Sequence, residues 1–476
     1  MKIPGRIILT LLFIPLLLQA QTGDGSMQVK GDKGIGKTVN GETIRDVIGH
    51  VVITQESVRI TCDEAMQYIA RNDAELIGNV VVTQDSVVIK TTRGYYYGNT
   101  KEAYSSSGIW LTDGHFILTS RNGHYYFDEK RSYFYNNVEM KDSVSDLKSD
   151  RLNYWEDENK AVAVGNVCIS DTGSTVFADS LIHFRNSQSS YAFNHVRIYN
   201  PADKLAIFCS KLEDTGKRKY SRITGDPFLV KIDTSSAGKI DTLLISSIIM
   251  EAYNDSVRRL IATDSVKILR DGFSSINQQA VYFEKGDKIQ IYRHDAEQMM
   301  PVLWSDSTQL AGDSINIFLK ENRPDIMKVR SNASIISIDR ESLFRYNQMS
   351  GKMITLFFGK DGLERTEVEG NALSIYYVYD NGEPNGLLKS SSEKAKIYFD
   401  KKEVADVHLY GKPLSEFHPE NLLKGKEKDF TIPTFKLYKG KPTRKGLLQT
   451  RSEILSYLKK EKKYYAGKSN TPKRKP

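Results

Sequence analysis

The sequence predicts an all-β fold in which repeated pairs of strands stack into a solenoid. Three observations predict it: a strict period of 29 residues, alternation of apolar and polar residues within each copy, and turn residues that recur at the same interval. A fixed period of this size is typical of a repeat architecture, in which stacked units bury an apolar face that one unit cannot bury alone. The period defines a first column of apolar residues: Val51, Val80, Ile109, Val138, Val167 and Val196.

Each copy alternates in the way a half-buried strand does. The residues that follow the first column by one position include Glu139 and Arg197, so this side of the strand faces solvent. One apolar and one polar face with a period of two indicate a β-strand. Two residues after the first column comes a second apolar column: Ile53, Val82, Leu111, Met140, Ile169 and Ile198. A third column, of aromatic residues, has the same period: Tyr68, Tyr97, Tyr126, Trp155 and Phe184.

Turn residues divide each copy into about two bent strands. One set of turns includes Asn72-Asp73 and Gly98-Asn99, and a second set includes Gly78-Asn79 and Gly165-Asn166. Gly, Asn and Asp are the residues that tolerate the backbone angles of tight turns. Two stackings satisfy this pattern: a parallel β-helix with one coil per repeat, or antiparallel strands that run up and down. The spacing alone leaves both open.

The chain begins with the features of an export signal. Lys2 and Arg6 precede an apolar run of 12 residues, and Leu18-Gln19-Ala20 fits a cleavage site. Twelve residues are too few to span a bilayer, which takes about 20. We therefore expect a signal peptide over 1–20, a flexible leader over 21–44, regular repeats over 45–235, degenerate repeats over 236–410 and a Pro-containing basic tail over 411–476. Within the tail, Leu447, Leu448, Ile454, Leu455 and Leu458 are spaced as one face of a short amphipathic helix.

The charge of the chain is unevenly distributed. The net charge is +8, but from Lys439 onward 13 Lys or Arg residues stand against 2 Asp or Glu residues, so the rest of the chain is net acidic. Such a tail favours an anionic partner, and in an exported protein we expect lipid phosphates or a membrane surface instead of nucleic acid.

The three cysteines are not expected to form a disulfide. Cys62 and Cys209 fall in nearly the same column of small residues, five repeats apart, whereas a disulfide needs Cα atoms within about 7 Å. Both are expected to be small buried residues. Cys168 follows Val167 of the first apolar column by one position, so it lies on the opposite face of the strand, and we expect it to be exposed.

The repeat resembles that of the OstA/LptA family. The resemblance lies in a Gly-Asn-Val start, an alternating strand and an Ala/Ser-Asp motif that ends on an aromatic residue. It is clearest over Gly165 to Phe184 (GNVCISDTGSTVFADSLIHF) and Ser149 to Trp155 (SDRLNYW), and it extends over about 45–230, more weakly over 240–400. The resemblance implies an antiparallel β-jelly-roll, or β-taco, solenoid. Family members are usually less than half as long as this chain.

The resemblance also implies a function. The family forms a non-enzymatic periplasmic bridge that carries lipopolysaccharide acyl chains in a hydrophobic trough toward the outer membrane. The implied ligand is lipopolysaccharide or a related lipid. The implied partners are transport components of the inner and outer membranes, which would attach by strand addition at the sheet edges. The family also implies self-association. No cofactor, metal or nucleic acid is implied. On this reading the three columns above face the trough, and the strand Val51 to Thr54 is the free N-terminal edge.

Two other function classes also use repeat architectures. A parallel β-helix polysaccharide-active enzyme would show a local break in the repeat where acids or histidines cluster. Instead, His124 and His183 occupy regular repeat positions, and Asp128-Glu129 lies in a turn. A structural or outer-membrane assembly repeat protein would favour polar columns on both faces. We therefore expect no catalytic residues.

Overall fold

The computed structural model describes residues 25–234, 240–321, 323–339, 344–360, 362–400 and 403–469. The expected signal peptide therefore lies outside the described residues. In the part of the chain that the structure describes, strand accounts for 68% and helix for 7%, and the strands pair in antiparallel fashion, which confirms the predicted all-β antiparallel class. The chain divides into two compact units, one up to Ser132 and one from Tyr133 onward.

Ten strands lie in the first unit over its described residues, 25–132. They are β1 (Gln28–Lys30), β2 (Lys33–Val39), β3 (Glu42–Gln55), β4 (Val58–Tyr68), β5 (Asp73–Gln84), β6 (Val87–Tyr97), β7 (Glu102–Ser105), β8 (Ile109–Thr112), β9 (Ile117–Ser120) and β10 (Asn122–Tyr126), with a 3₁₀ turn at Ile69–Arg71. Strands β3 to β6 pair consecutively, so two successive strands account for one 29-residue repeat.

The second unit contains the remaining strands and the helices. They are β11 (Arg131–Lys141), β12 (Asp146–Trp155), β13 (Lys160–Ser170), β14 (Thr175–Phe184), β15 (Ser189–Asn200), β16 (Leu205–Thr215), β17 (Tyr220–Thr224), β18 (Phe228–Thr234), β19 (Ile240–Ser246), β20 (Ile249–Tyr253), β21 (Arg259–Arg270), β22 (Phe273–Phe283), β23 (Lys288–Tyr292), β24 (Val302–Ser305), β25 (Thr308–Ala311), β26 (Ser314–Lys320), β27 (Arg323–Ile338), β28 (Tyr346–Gly359), β29 (Gly362–Asp380), β30 (Glu383–Asp400), β31 (Glu403–Tyr410), β32 (Leu414–Pro419), α1 (Glu420–Leu423), α2 (Arg444–Leu448) and α3 (Ser452–Ser469), with 3₁₀ turns at Gly216–Arg218 and Glu427–Asp429. None of the described helices combines the length and apolarity that crossing a membrane requires.

The recurring Gly-Asn pair forms a corner in the middle of a long strand. Gly165 and Asn166 both have positive φ, at 82° and 46°, and the pairing of β13 with β14 shifts register there. The Asn166 side chain donates a hydrogen bond to Asp150 Oδ2 at 2.8 Å, and Asn79 donates to Asp63 Oδ2 in the first unit at 2.9 Å. The Asp of the Ala/Ser-Asp motif therefore holds the corner formed by the next Gly-Asn pair.

The corner changes which residues of one strand are buried: residues of one parity are buried before it, and residues of the other parity are buried after it. In β6, Val87 and Ile89 are buried before the corner, whereas Gly94 and Tyr96 are buried after it. The buried positions are thus odd-numbered before the corner and even-numbered after it. The reason is that the partner strand places two corner residues opposite one residue of β6, as in a β-bulge.

The N-terminal edge differs from the expectation. Residues that were assigned to a flexible leader form β1, which pairs with Val52–Thr54, and β2, which pairs with Glu42–Ile48. The expectation that Val51 to Thr54 is a free edge is therefore wrong. Asn40-Gly41, with φ of 51° and 82°, makes the tight turn between β2 and β3. This dipeptide is a strong hairpin signal, and it was available in the sequence.

The segment after β32 packs against the second unit's own sheet. We call Glu420–Glu461 the strap. Leu423 and Ile432 pack with Leu387, Tyr438 packs with Trp304, and the two C-terminal helices bury Leu447, Leu448, Ile454 and Leu458 against a cluster that contains Phe208, Phe228, Val230 and Leu244. Leu455 packs at the edge of this last cluster.

Two buried glutamines hold the strap by its backbone. Gln309 donates to the Lys436 carbonyl at 2.8 Å and accepts from the Tyr438 amide at 2.8 Å. Gln348 donates to the Phe430 carbonyl at 3.2 Å and accepts from the Ile432 amide at 3.0 Å. Each amide thus satisfies one N–H and one C=O of a segment that pairs with no strand.

Candidate functional site

The second unit contains a cavity of about 670 Å³. Its apolar lining comes mainly from strands β13 to β17 and β21, and it includes Ile169, Val176, Leu181, Ile198, Leu205, Ile207, Leu212, Ile223 and Leu260. These aliphatic side chains are bordered by many polar and charged ones, among them Asp142, Arg185 and Arg259, so the cavity suits a ligand that joins a flexible hydrocarbon to polar groups.

Strand register explains why these side chains meet. Ile169 lies opposite Val176, Val176 opposite Ile198, and Ile198 opposite Ile207, so the four form a continuous row on one side of the corners. On the other side, Leu181 and Leu212 both lie opposite Ala192. The two rows are the two walls of a bent sheet.

The six aliphatic residues of the second unit that were predicted to face the trough fall into two groups. Ile169 and Ile198 are half-buried and line the cavity. Val138, Val167 and Val196 are each 1% exposed, and Met140 is 6% exposed. The structure therefore brings two of the predicted residues into one cavity and places the other four in packed core beside the corners. Lipid contact by any of them stays a prediction.

The predicted residues of the first unit are more tightly packed. The six members of the two aliphatic columns in this unit, Val51, Ile53, Val80, Val82, Ile109 and Leu111, are at most 6% exposed. They form the core of this unit, as the period indicated. A lipid would reach them only if the unit opened, and their contact with lipid also stays a prediction.

The aromatic column lies on the other side of its strands. Tyr68, Tyr97, Tyr126, Trp155 and Phe184 are half-buried, whereas the residues that precede the first four, Gln67, Tyr96, Tyr125 and Tyr154, are buried. Cationic groups lie over four of the five rings: Arg71 over Tyr68 at 4.2 Å, Arg131 over Tyr126 at 4.5 Å, and Lys160 over Trp155 and Phe184 at 5.0 and 6.0 Å. These rings stack with cations as partly exposed aromatic residues do.

Polar residues that the sequence did not predict to be part of a site also line the cavity. His183 Nδ1 lies 3.0 Å from Ser190 Oγ, and burial lowers the pKa of His183 although Asp142 opposes this effect. Asp214 accepts a hydrogen bond from Ser221 at 2.5 Å, and burial raises the pKa of Asp214. Burial therefore favours the neutral form of both groups.

A charged cluster lies beside the cavity. Lys231, which lines the cavity, donates to the Tyr282 hydroxyl at 2.8 Å and lies 3.8 Å from Asp233. Burial alone would lower the pKa of Lys231, but the Tyr282 hydrogen bond and the charge of Asp233 outweigh it, so the pKa is raised. Arg270 joins Asp233 to Asp241 through hydrogen bonds of 2.9 and 2.5 Å. The cluster balances two cations with two carboxylates.

The cysteines differ in their exposure and acidity. Cys62 is buried, Cys168 and Cys209 are half-buried, and all three are free thiols. Burial raises the pKa of Cys62 to about 11 and that of Cys209 to about 12, and it raises the pKa of Cys168 as well.

We expect Cys168 to be the first thiol that N-ethylmaleimide modifies in the native protein at pH 8. The thiolate is the reactive form, and burial raises the pKa of Cys62 and Cys209 further than that of Cys168, so Cys62 and Cys209 should react more slowly than Cys168. Peptide mass spectrometry of time points measures the three rates, and urea-unfolded protein is the control. Equal rates in the native protein would contradict the structure.

The comparisons agree with the repeat pattern. A family model described as OstA-like protein matches residues 32–115 and 141–290, which include the corners and most of the cavity lining. No curated protein matches the chain. The matched residues contain the Gly-Asn corners and the Asp residues that hold them. Over these residues the chain belongs to the OstA-like family.

Proposed function

We propose that the protein is an exported, non-enzymatic carrier that holds the acyl chains of lipopolysaccharide, or of a related lipid, in the cavity of its second unit. The observation that carries this proposal is the half-buried row Ile169, Val176 and Ile198 in a cavity of about 670 Å³ within the OstA-like region.

The size and chemistry of the cavity support an acyl ligand. Pockets of about 300–1,000 Å³ are typical of sites for small organic ligands. Each methylene group that leaves water contributes about 0.8 kcal/mol, so ten methylenes would contribute about 8 kcal/mol before the cost of ordering the chain. The hydrocarbon would therefore provide most of the affinity, and the polar residues at the boundary would orient the head group.

The sheet edges support strand addition as the mode of association. In the first unit, β2 pairs with β3 and exposes Ile35 and Val39. In the second unit, β31 and β32 pair with β30, and Leu414 and Phe417 are 59% and 50% exposed. Unpaired strand edges with exposed apolar residues readily pair with another chain. We propose these edges as the sites where transport components of the two membranes, or a second copy, attach.

The test uses a photo-crosslinking amino acid, p-benzoylphenylalanine, at Ile198. We expect it to capture lipopolysaccharide, because Ile198 lines the cavity. The matched control is the same amino acid at Tyr191, which lies on the same strand outside the cavity lining. Native mass spectrometry of the untreated protein should show the co-purified lipid. Equal capture at both positions, or lipid bound with no capture at Ile198, would overturn the assignment.

A further inference from the structure

The strap crosses much of the second unit's sheet. Its apolar contacts extend from β30 to β16 and to Tyr199 of β15, and ten successive strand pairings connect β30 to β16. Neighbouring strands lie about 4.8 Å apart, so the strap spans roughly 48 Å of sheet.

The strap and the cavity lie on opposite faces of this sheet. In β16, Leu205 and Ile207 line the cavity, whereas Ala206 and Phe208 pack in the cluster that contains the C-terminal helices. Strand β18 shows the same division, because Lys231 lines the cavity and its neighbours Val230 and Ile232 pack in the strap cluster. Successive strand residues point to opposite faces. A ligand head group at the cavity would therefore be separated from the strap by the sheet.

The outer side of the strap is basic. Ten of its Lys and Arg side chains are exposed, among them Lys424, Lys426, Lys428, Lys439, Lys459 and Lys460. Several of its acidic residues pair with cations of the sheet. Arg345 contacts Glu420 at 2.5 Å, and Arg197 contacts Glu453 at 3.2 Å. The strap thus neutralises part of its acidic charge internally and presents cations to solvent.

Two exposed leucines accompany these cations. Leu422 is 58% exposed and lies two residues before Lys424, and Leu437 is 46% exposed and follows Lys436. Apolar side chains between lysines are typical of segments that lie in the interface of an anionic membrane, where the leucine enters the acyl region and the lysine contacts phosphate.

We propose that the outer side of the strap is a docking surface for an anionic phospholipid bilayer. The surface is long, is dominated by lysine and has two exposed leucines, which suits an extended layer of phosphates. Its position on the face opposite the cavity separates it from the proposed ligand. The strap would hold the second unit on a membrane and leave the cavity open on the other face.

The experiment measures flotation of the purified protein with two kinds of vesicle: phosphatidylcholine alone, and phosphatidylcholine mixed with phosphatidylglycerol. We expect binding to the mixed vesicles only, and a strong loss when NaCl is raised from about 0.1 M to about 0.5 M. The triple variant Lys424→Ala, Lys426→Ala, Lys428→Ala should lower the partition coefficient at least about tenfold. The control triple variant Lys217→Ala, Lys267→Ala, Lys320→Ala removes as many exposed charges outside the strap and should change it less than about twofold.

The proposal would be overturned by equal losses in the two triple variants, by equal binding to both kinds of vesicle, or by full competition by inorganic phosphate. In a further outcome, a strap variant loses binding to lipopolysaccharide aggregates but keeps binding to phosphatidylglycerol vesicles. That result would show that the strap binds the transported lipid and not a phospholipid bilayer, and it would also overturn the proposal. Crosslinking from Ile198 is measured in the same variants. Because that position is on the other face, its capture of lipid should not change, so the failure of one proposal is distinguishable from the failure of the other.

Discussion

Replacing Arg270 by methionine should lower the free energy of unfolding by about 3–5 kcal/mol. The Arg270 side chain is 2% exposed and is hydrogen-bonded to Asp233 and Asp241. Methionine has a similar length but no charge, so the two carboxylates would lose their guanidinium partner in a poorly hydrated environment. The loss would come from the unpaired carboxylates more than from the bonds themselves. Urea titration followed by tryptophan fluorescence measures the change in midpoint and slope.

The matched control for this prediction is Lys394→Met. Lys394 pairs with Glu369 at 3.4 Å, and both side chains are well exposed, at 59% and 41%. Pairs of this kind contribute about 0–1 kcal/mol because water screens both charges. Similar losses in the two variants would show that the Arg270 cluster is not as shielded from water as the structure indicates. The double variant Asp233→Asn, Asp241→Asn in the Arg270→Met background should recover part of the stability, because it removes the unpaired charges.

Replacing Gly165 by alanine should lower the free energy of unfolding by roughly 2–4 kcal/mol. The left-handed backbone at φ 82° costs about 1–2 kcal/mol for a residue with a Cβ atom. In addition, the new Cβ would lie 2.4 Å from Asp150 Oδ2 and 3.0 Å from Asp150 Cβ, so the corner would have to shift. The control is Gly173→Ala, where φ is not positive and the nearest atom is 3.8 Å away. This control should change the stability by less than about 1 kcal/mol.

A double-mutant cycle separates the two causes. Asp150→Gly removes all three clashing atoms, including Cβ, but also removes the hydrogen bond from Asn166. In the Asp150→Gly background, Gly165→Ala should therefore cost only the backbone term, about 1–2 kcal/mol. The same urea titrations measure the four states. Equal costs of Gly165→Ala in both backgrounds would show that Asp150 does not constrain the corner.

The sequence by itself determined the repeat and its core. The 29-residue step from Val51 to Val196 selects residues that are all buried, because one apolar face per strand is the condition for stacked strands to exclude water. The Gly-Asn pairs also marked the corners correctly as bends, since few residues other than glycine and asparagine adopt a positive φ at low cost. The Asn40-Gly41 dipeptide likewise indicates a hairpin from the sequence alone.

The tertiary structure alone decided which side of the strand each residue takes after a corner. Alternation from Val87 would place Tyr97 inside, but the two-residue bulge of β5 opposite β6 reverses the parity and buries Tyr96 instead. The alternation of residues within one strand does not reveal a bulge in the strand that pairs with it. Which face of the sheet the aromatic residues occupy therefore depends on how two strands pair.

The strap was the other feature that needed the tertiary structure. The tail's leucines indicated a helix face, but not the surface that the face would cover. In Phe228-Leu229-Val230 every residue is apolar and buried, so both faces of the sheet are covered there. The core covers one face and the strap covers the other. Which distant segment covers such a strand depends on contacts between residues more than 200 positions apart, such as Asp226 with Arg451. Local periodicity does not specify such long-range packing.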